Sequence, residues 1–123
     1  MKIIDAISRV DALYFNTFSM AEKIAWLSKA DWMIKRHILD THEGAEPEFR
    51  GYSPETDLQT ELLAPVPYDE MYIPWLQAQM ELALKEVDNY NASIMIFNTE
   101  YEAFERYYNR EHMPKQAGRR FLF

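Results

Sequence analysis

The sequence predicts an all-α fold: a small bundle of about four helices with a long acidic connecting loop and an extended C-terminal arm. Three observations point there. Apolar residues recur at spacings of three and four through four separate stretches. Only 3 glycines and 6 prolines punctuate the chain, and most of them fall between those stretches. One aperiodic segment gathers much of the acid. With 123 residues the chain has room for one domain, so residues 1–113 read as a helical domain and 114–123 as its arm.

The first stripe is Ile3, Ile4, Ile7, Val10, Leu13 and Tyr14, which predicts an amphipathic helix over 2–14. Ser19 followed by Glu22 forms a capping box, in which hydroxyl and carboxylate satisfy orphan amide donors at a helix start. From there Met20, Ile24, Leu27, Ile34 and Ile38 keep the helical period, widened by Trp26 and Trp32, and predict a helix over 20–42. Over residues 40–70 the period is lost, and nine acids stand against Arg50 alone. So much like charge in one connection is expected to hold it extended, ordered by neighbouring molecules rather than by its own chain. Within it, residues 59–63 have the look of a short strand.

A third pattern runs from Met71 through Tyr72, Trp75, Leu76, Gln79 and Leu82 towards Val87. Pro74 interrupts it. Proline is tolerated in a first helical turn and kinks a helix elsewhere, and the continuous pattern favours a kinked helix. The fourth pattern is the cleanest: Tyr90, Ile94, Phe97, Tyr101, Phe104 and Tyr108 alternate steps of four and three. It predicts a helix over 87–112 that stops at Pro114.

Composition narrows the chemistry. The chain has no cysteine, so disulfides, thiol catalysis and thiolate metal sites are excluded. Its net charge of -7 disfavours phosphate backbones. With 3 glycines neither a P-loop nor a dinucleotide-binding loop can be built, and no G-x-S-x-G turn is present. No apolar run has the roughly 20 residues of a membrane span, and the acidic residue Asp5 spoils the N-terminus as a secretion signal. The expectation is a soluble protein made in the cytoplasm.

The candidate catalytic and metal groups carry little. His37 and His42 are five residues apart, which rotates them well away from a shared metal, and His42 reads instead as an imidazole facing the last carbonyls of its helix. His112 has no partner in the sequence. The carboxylate pairs Asp69/Glu70 and Glu43/Glu46 read as a solvated acidic face. Ser28, His37 and Asp40 assemble no nucleophile turn. No catalytic, cofactor-binding or metal residue is assigned, and the chain is expected not to be an enzyme.

The last ten residues differ from the rest. Lys115, Arg119 and Arg120 make the arm basic, leaving ten negative charges net on 1–113. Arg119 and Arg120, followed by Phe121 and Phe123, read as a partner-binding arm in which the rings anchor and the guanidinium groups guide.

Several strings resemble the small head-tail connector proteins, also called adaptor or head-completion proteins, of tailed bacteriophages. They are Glu22-Lys23-x-x-Trp26-Leu27, Asp40-Thr41-His42-Glu43-Gly44 and Glu61-Leu62-Leu63-x-Pro65-x-Pro67-Tyr68-Asp69-Glu70-x-Tyr72. To these add Tyr90-Asn91, Phe97-Asn98 and Tyr107-Tyr108-Asn109-Arg110-x-His112-Met113-Pro114. The likeness spans nearly the whole chain; Pro74 departs from it. It implies an all-helical virion protein of the neck at the portal vertex, made in the host cytoplasm. Its partners would be the portal protein, neighbouring copies in a ring commonly of twelve, and the next connector, stopper or tail protein. DNA would pass through the channel without specific binding. The alternative from a different class is a small, non-enzymatic helical protein-binding module or regulator.

Overall fold

The computed structural model describes residues 1–43 and 48–115. Among them are four α-helices: α1 (Ile3–Leu13), α2 (Met20–Ile34), α3 (Tyr72–Ala83) and α4 (Val87–Glu111). The chain is all-α, and the described residues pair as β only in two isolated bridges, Lys2 with Glu61 and His42 with Pro114.

α1 and α2 start where the sequence places them. Ser19 Oγ accepts from the Glu22 amide at 3.1 Å, while the Ser19 amide donates to Glu22 Oε1 at 3.2 Å, so the capping box is closed. The buried Lys23 reaches from α2 to Asp11 of α1 at 2.9 Å. Beyond Ile34 the helix widens into a π-helical turn, Lys35–Leu39, in which the Asp40 amide reaches back five residues to the Lys35 carbonyl at 2.8 Å.

The expected kink at Pro74 is absent. A 3₁₀ turn, Tyr68–Met71, leads into α3, and Pro74 lies in the first α-helical turn. There its missing N–H is one of the donors a helix start leaves unpaired anyway, so the ring costs nothing. α3 is apolar on most of its circumference and correspondingly buried from Tyr72 to Leu76 and again at Ala78, Gln79 and Met80. It packs against α1, α2 and α4 and forms the axis of the bundle.

α3 also stops earlier than its pattern suggests. Lys85 adopts φ +62, the Glu86 amide bonds the Glu81 carbonyl at 2.9 Å and the Lys85 amide bonds Leu82 at 3.1 Å. This is a Schellman turn with lysine where glycine is usual. It sends α4 back along α3, with Phe97, Phe104 and Tyr108 buried as the seam predicts. Trp75 meets Phe97 at 4.9 Å and Tyr68 meets Phe104 at 5.6 Å between ring centres.

The described part of the acidic connection folds onto its own chain, contrary to the expectation of an extended segment ordered by neighbours. Phe49 and Tyr52 stack edge-on in series against Trp32, at 4.8 and 5.0 Å. Leu62 and Ala64 are in the core. The segment expected as a strand pairs with the N-terminus instead: the Ile3 amide bonds the Thr60 carbonyl and the Leu62 amide bonds the Met1 carbonyl. The acids stay out of the way of this packing, since Glu48, Glu55, Asp57, Glu61 and Glu70 are exposed.

Candidate functional site

The arm residues Arg119, Arg120, Phe121 and Phe123 lie outside the described residues, but the root of the arm is in view. Residues 113–115 run antiparallel to 41–43. The Glu43 amide bonds the Met113 carbonyl at 2.7 Å and the Lys115 amide bonds the Thr41 carbonyl at 3.0 Å. The buried His42 locks the junction: Nδ1 is 2.6 Å from the Ile38 carbonyl, and Nε2 is 2.5 Å from Asn109 Oδ1 of α4. That carbonyl belongs to the last turn of its helix, the role the sequence suggests for this imidazole. Tyr108 lies between the two imidazoles, edge-on to His42 at 4.9 Å and stacked on His112 at 3.9 Å. The arm therefore leaves from a fixed point on the body, beside Asn109, near the C-terminal end of α4.

The other candidate groups are occupied structurally. Asp69 accepts from the Met1 ammonium at 3.0 Å, and Glu70 takes a two-pronged pair of 2.8 Å bonds from Arg9. Arg9 holds the Glu70 carboxyl below its usual range, the state of an ion-pair partner rather than of a poised acid. Ser28 accepts from the Tyr52 amide at 3.0 Å and Asp40 pairs with Lys35 at 2.6 Å. His37 is exposed, two and a half helical turns beyond Ser28, so the three do not form a catalytic group. Glu43 is exposed, and Glu46 lies outside the described residues. The described residues contain no cluster of three or more side chains able to hold a metal ion. None of their helices is long and apolar enough to cross a membrane.

One functional-looking group was missed. Asp31 of α2 is completely buried and receives three hydrogen bonds: from Tyr52 Oη, from Tyr72 Oη at 2.5 Å and from the Leu63 amide at 3.0 Å. Tyr72 Oη in turn accepts from the Ala64 amide at 2.9 Å. One carboxylate thus staples α2, α3 and two points of the connection. Burial pushes its carboxyl up to about 6, against the downward pull of the three donors. Both tyrosine hydroxyls are pushed well above their ordinary value, first by burial and then by Asp31, so they stay protonated and keep donating. The signal was present in the stripe: Asp31 stands four residues after Leu27 and three before Ile34, on the face that otherwise goes to the core.

At the opposite end of α4 the surface is apolar. Leu13, Phe15, Leu82, Leu84 and Val87 are each more than half exposed, Phe15 at 91%. The Tyr14 hydroxyl donates to Glu86 Oε1 at 3.0 Å, which draws the end of α1 against the α3–α4 turn. Met95 and Ile96 add exposed apolar surface on the outer side of α4. Large apolar groups left exposed near one end of a body mark an interaction surface more often than chance.

No family model, curated protein or solved structure matches this chain.

Proposed function

We propose that the chain is a structural, non-enzymatic subunit of the head-tail connector of a tailed bacteriophage, assembling as a ring at the portal vertex and extending the channel through which DNA passes. What carries the reading is the polarity of the molecule. A fixed arm root lies near one end of α4 and an exposed apolar end lies at the other, on a body with ten net negative charges. Two different surfaces at opposite ends give heterologous contacts, and such contacts close into rings when the rotation between neighbours allows. The strings that carry the connector resemblance also converge in space: Asp40 to Glu43 pairs with Met113 to Lys115, and the segment from Glu61 to Tyr72 is the wall stapled by Asp31. An acidic channel lining lets DNA slide without adhering. The basic, aromatic arm, with Arg119, Arg120, Phe121 and Phe123, is then the group that engages the portal protein or the next subunit.

The test is attachment to capsids bearing the portal protein encoded in the same genome. The full chain is expected to add ring density beneath the portal by electron microscopy. Deleting 116–123 is expected to abolish that density with helicity unchanged, because Lys115 and its bond to Thr41 are retained. Absence of ring density with the full chain overturns the proposal.

A further inference from the structure

We infer that the arm of one copy, residues 116–123, docks on the apolar end of the next copy, formed by Leu13, Phe15, Leu82, Leu84 and Val87. This deepens the reading above, on which it rests for the chain being a self-assembling subunit, and it names the surface that receives the arm.

Length disfavours the subunit's own end. The arm leaves the body beside Asn109, while Val87 begins the same helix 22 residues earlier, roughly 33 Å away at 1.5 Å per residue. Eight residues span at most about 28 Å when fully extended, and Phe121, six residues past Lys115, reaches only about 20 Å. Phe121 therefore meets this surface only on another copy, and Phe123 would touch its own only at full stretch.

Charge selects the arm over a second apolar end. Glu86 and Asp88 border the surface and are exposed, with Lys85 the neighbouring cation. Two apolar ends meeting face to face would set Glu86 and Asp88 against their own copies. The arm brings Arg119 and Arg120 immediately before Phe121, Leu122 and Phe123, so cations meet the acidic border while rings cover Leu84, Val87 and Phe15. A face-to-face pair would also stop at a dimer, whereas arm-to-end contact repeats from copy to copy.

The experiment uses the full chain and two variants in sedimentation velocity over a range of concentrations. One variant lacks 116–123; the other carries Leu84→Glu with Val87→Asp, both at exposed positions. Each variant alone is expected to associate at least about tenfold more weakly than the full chain. Mixed, they are expected to form a 1:1 pair that grows no further, since the mixture holds one working arm and one working end. A peptide of residues 115–123 is expected to bind the arm-deleted chain but not the doubly substituted one, with the helicity of the doubly substituted chain unchanged. Undiminished association of the arm-deleted chain, failure of the mixture to pair, or a full chain that stays monomeric overturns the inference. If the arm-deleted chain fails to join portal-bearing capsids while the peptide does not bind it, the arm acts on the portal alone: this inference falls and the connector reading stands. If the peptide and mixture behave as expected but the full chain ignores the portal, the connector reading falls instead.

Discussion

The inner face of α4 and the connection from residue 48 to Met71 both rest on α2 and α3, yet they are fixed by opposite means. α4 is held by repetition. Tyr90, Ile94, Phe97, Tyr101, Phe104 and Tyr108 recur on one side of the helix, and the rings of Phe97, Tyr101, Phe104 and Tyr108 each touch another ring at 4.9 to 6.0 Å. The connection has no period and is held at a few points by directional bonds, chiefly the three donors on Asp31 and the Tyr52 amide on Ser28 Oγ. Repetition spreads stability over many contacts and makes a region part of the global fold. Point fixation concentrates it, so one substitution should release the connection while leaving the helices in place.

The strongest way to test the first half of that contrast is to truncate the most buried ring of the seam. Phe104 is 1% exposed. Phe104→Ala removes most of a buried aromatic side chain and is expected to cost about 4 kcal/mol, lowering the urea midpoint of the whole chain in one transition. A loss under about 1 kcal/mol would show that the seam is not the core of the fold.

Asp31 tests the second half. Asp31→Ala leaves the Tyr72 hydroxyl and the Leu63 amide inside the protein without their acceptor, at an expected cost of about 3 kcal/mol. Hydrogen exchange at Leu63 and Tyr52 should accelerate far more than exchange in the middle of α4. Equal acceleration in both regions would erase the distinction between them.

The same carboxylate gives a pH signature. Its pKa in the folded chain, about 6, lies above the ordinary 3.8, so the folded state binds the proton more tightly than the unfolded state. The stabilisation linked to that proton is fully present below about pH 4 and is lost as pH rises through 6, a change of roughly 3 kcal/mol. Glu70, lowered by Arg9, runs in the opposite direction. The measurement is therefore the stability difference between the natural chain and Asp31→Asn, in which the other carboxylates cancel. That difference should move in favour of the natural chain as pH falls from 7 to 4. A difference that stays flat across this range would mean that Asp31 is not held in the buried, desolvated state described.

The contrast also explains what was legible in the sequence. Periodic burial is a local property, and α1, α2 and α4 were readable within a few residues at their starts, with Ser19 and Glu22 marking one of them. Helix α3 was readable as a helix but not at its ends: the 3₁₀ turn before it carries the apolar pattern backwards past Pro74, and Lys85 supplies the left-handed residue where glycine or asparagine would have signalled a stop. The path of the connection was not readable, because its fixed points pair residues as far apart as Asp31 and Tyr72. A negative charge density of that size suggested mutual repulsion, but Glu48, Glu55, Asp57, Glu61 and Glu70 are exposed and the buried Asp69 is paired with the Met1 ammonium, while Phe49, Tyr52 and Leu62 turn in. The arm's basic and aromatic character is a matter of composition, and the stop of α4 shortly before Pro114 was legible from the proline. The arm's rigid root was not, since that depends on His42 meeting Asn109 across the bundle.

The smallest expected effect comes from Gly51, and it sharpens the comparison most finely. This glycine has φ +84, where an L side chain is strained, and a Cβ there would sit 2.9 Å from Trp32 Nε1 and 3.1 Å from Ser28 Oγ. Both neighbours are committed: Trp32 carries the Phe49 ring and lies beneath the Arg36 guanidinium at 5.2 Å, while Ser28 accepts from the Tyr52 amide. Gly51→Ala therefore combines backbone strain with displacement of a ring that cannot move freely, at an expected cost of about 2 kcal/mol. The loss should fall on the connection alone. Protection of the Tyr52 amide, two bonds of chain from the strained residue, is expected to drop first, and the Leu63 amide on Asp31 should follow more weakly. If the connection is instead cooperative with the seam of α4, Gly51→Ala will lower protection in both regions together, and fixation at points will have to be replaced by a single packed unit.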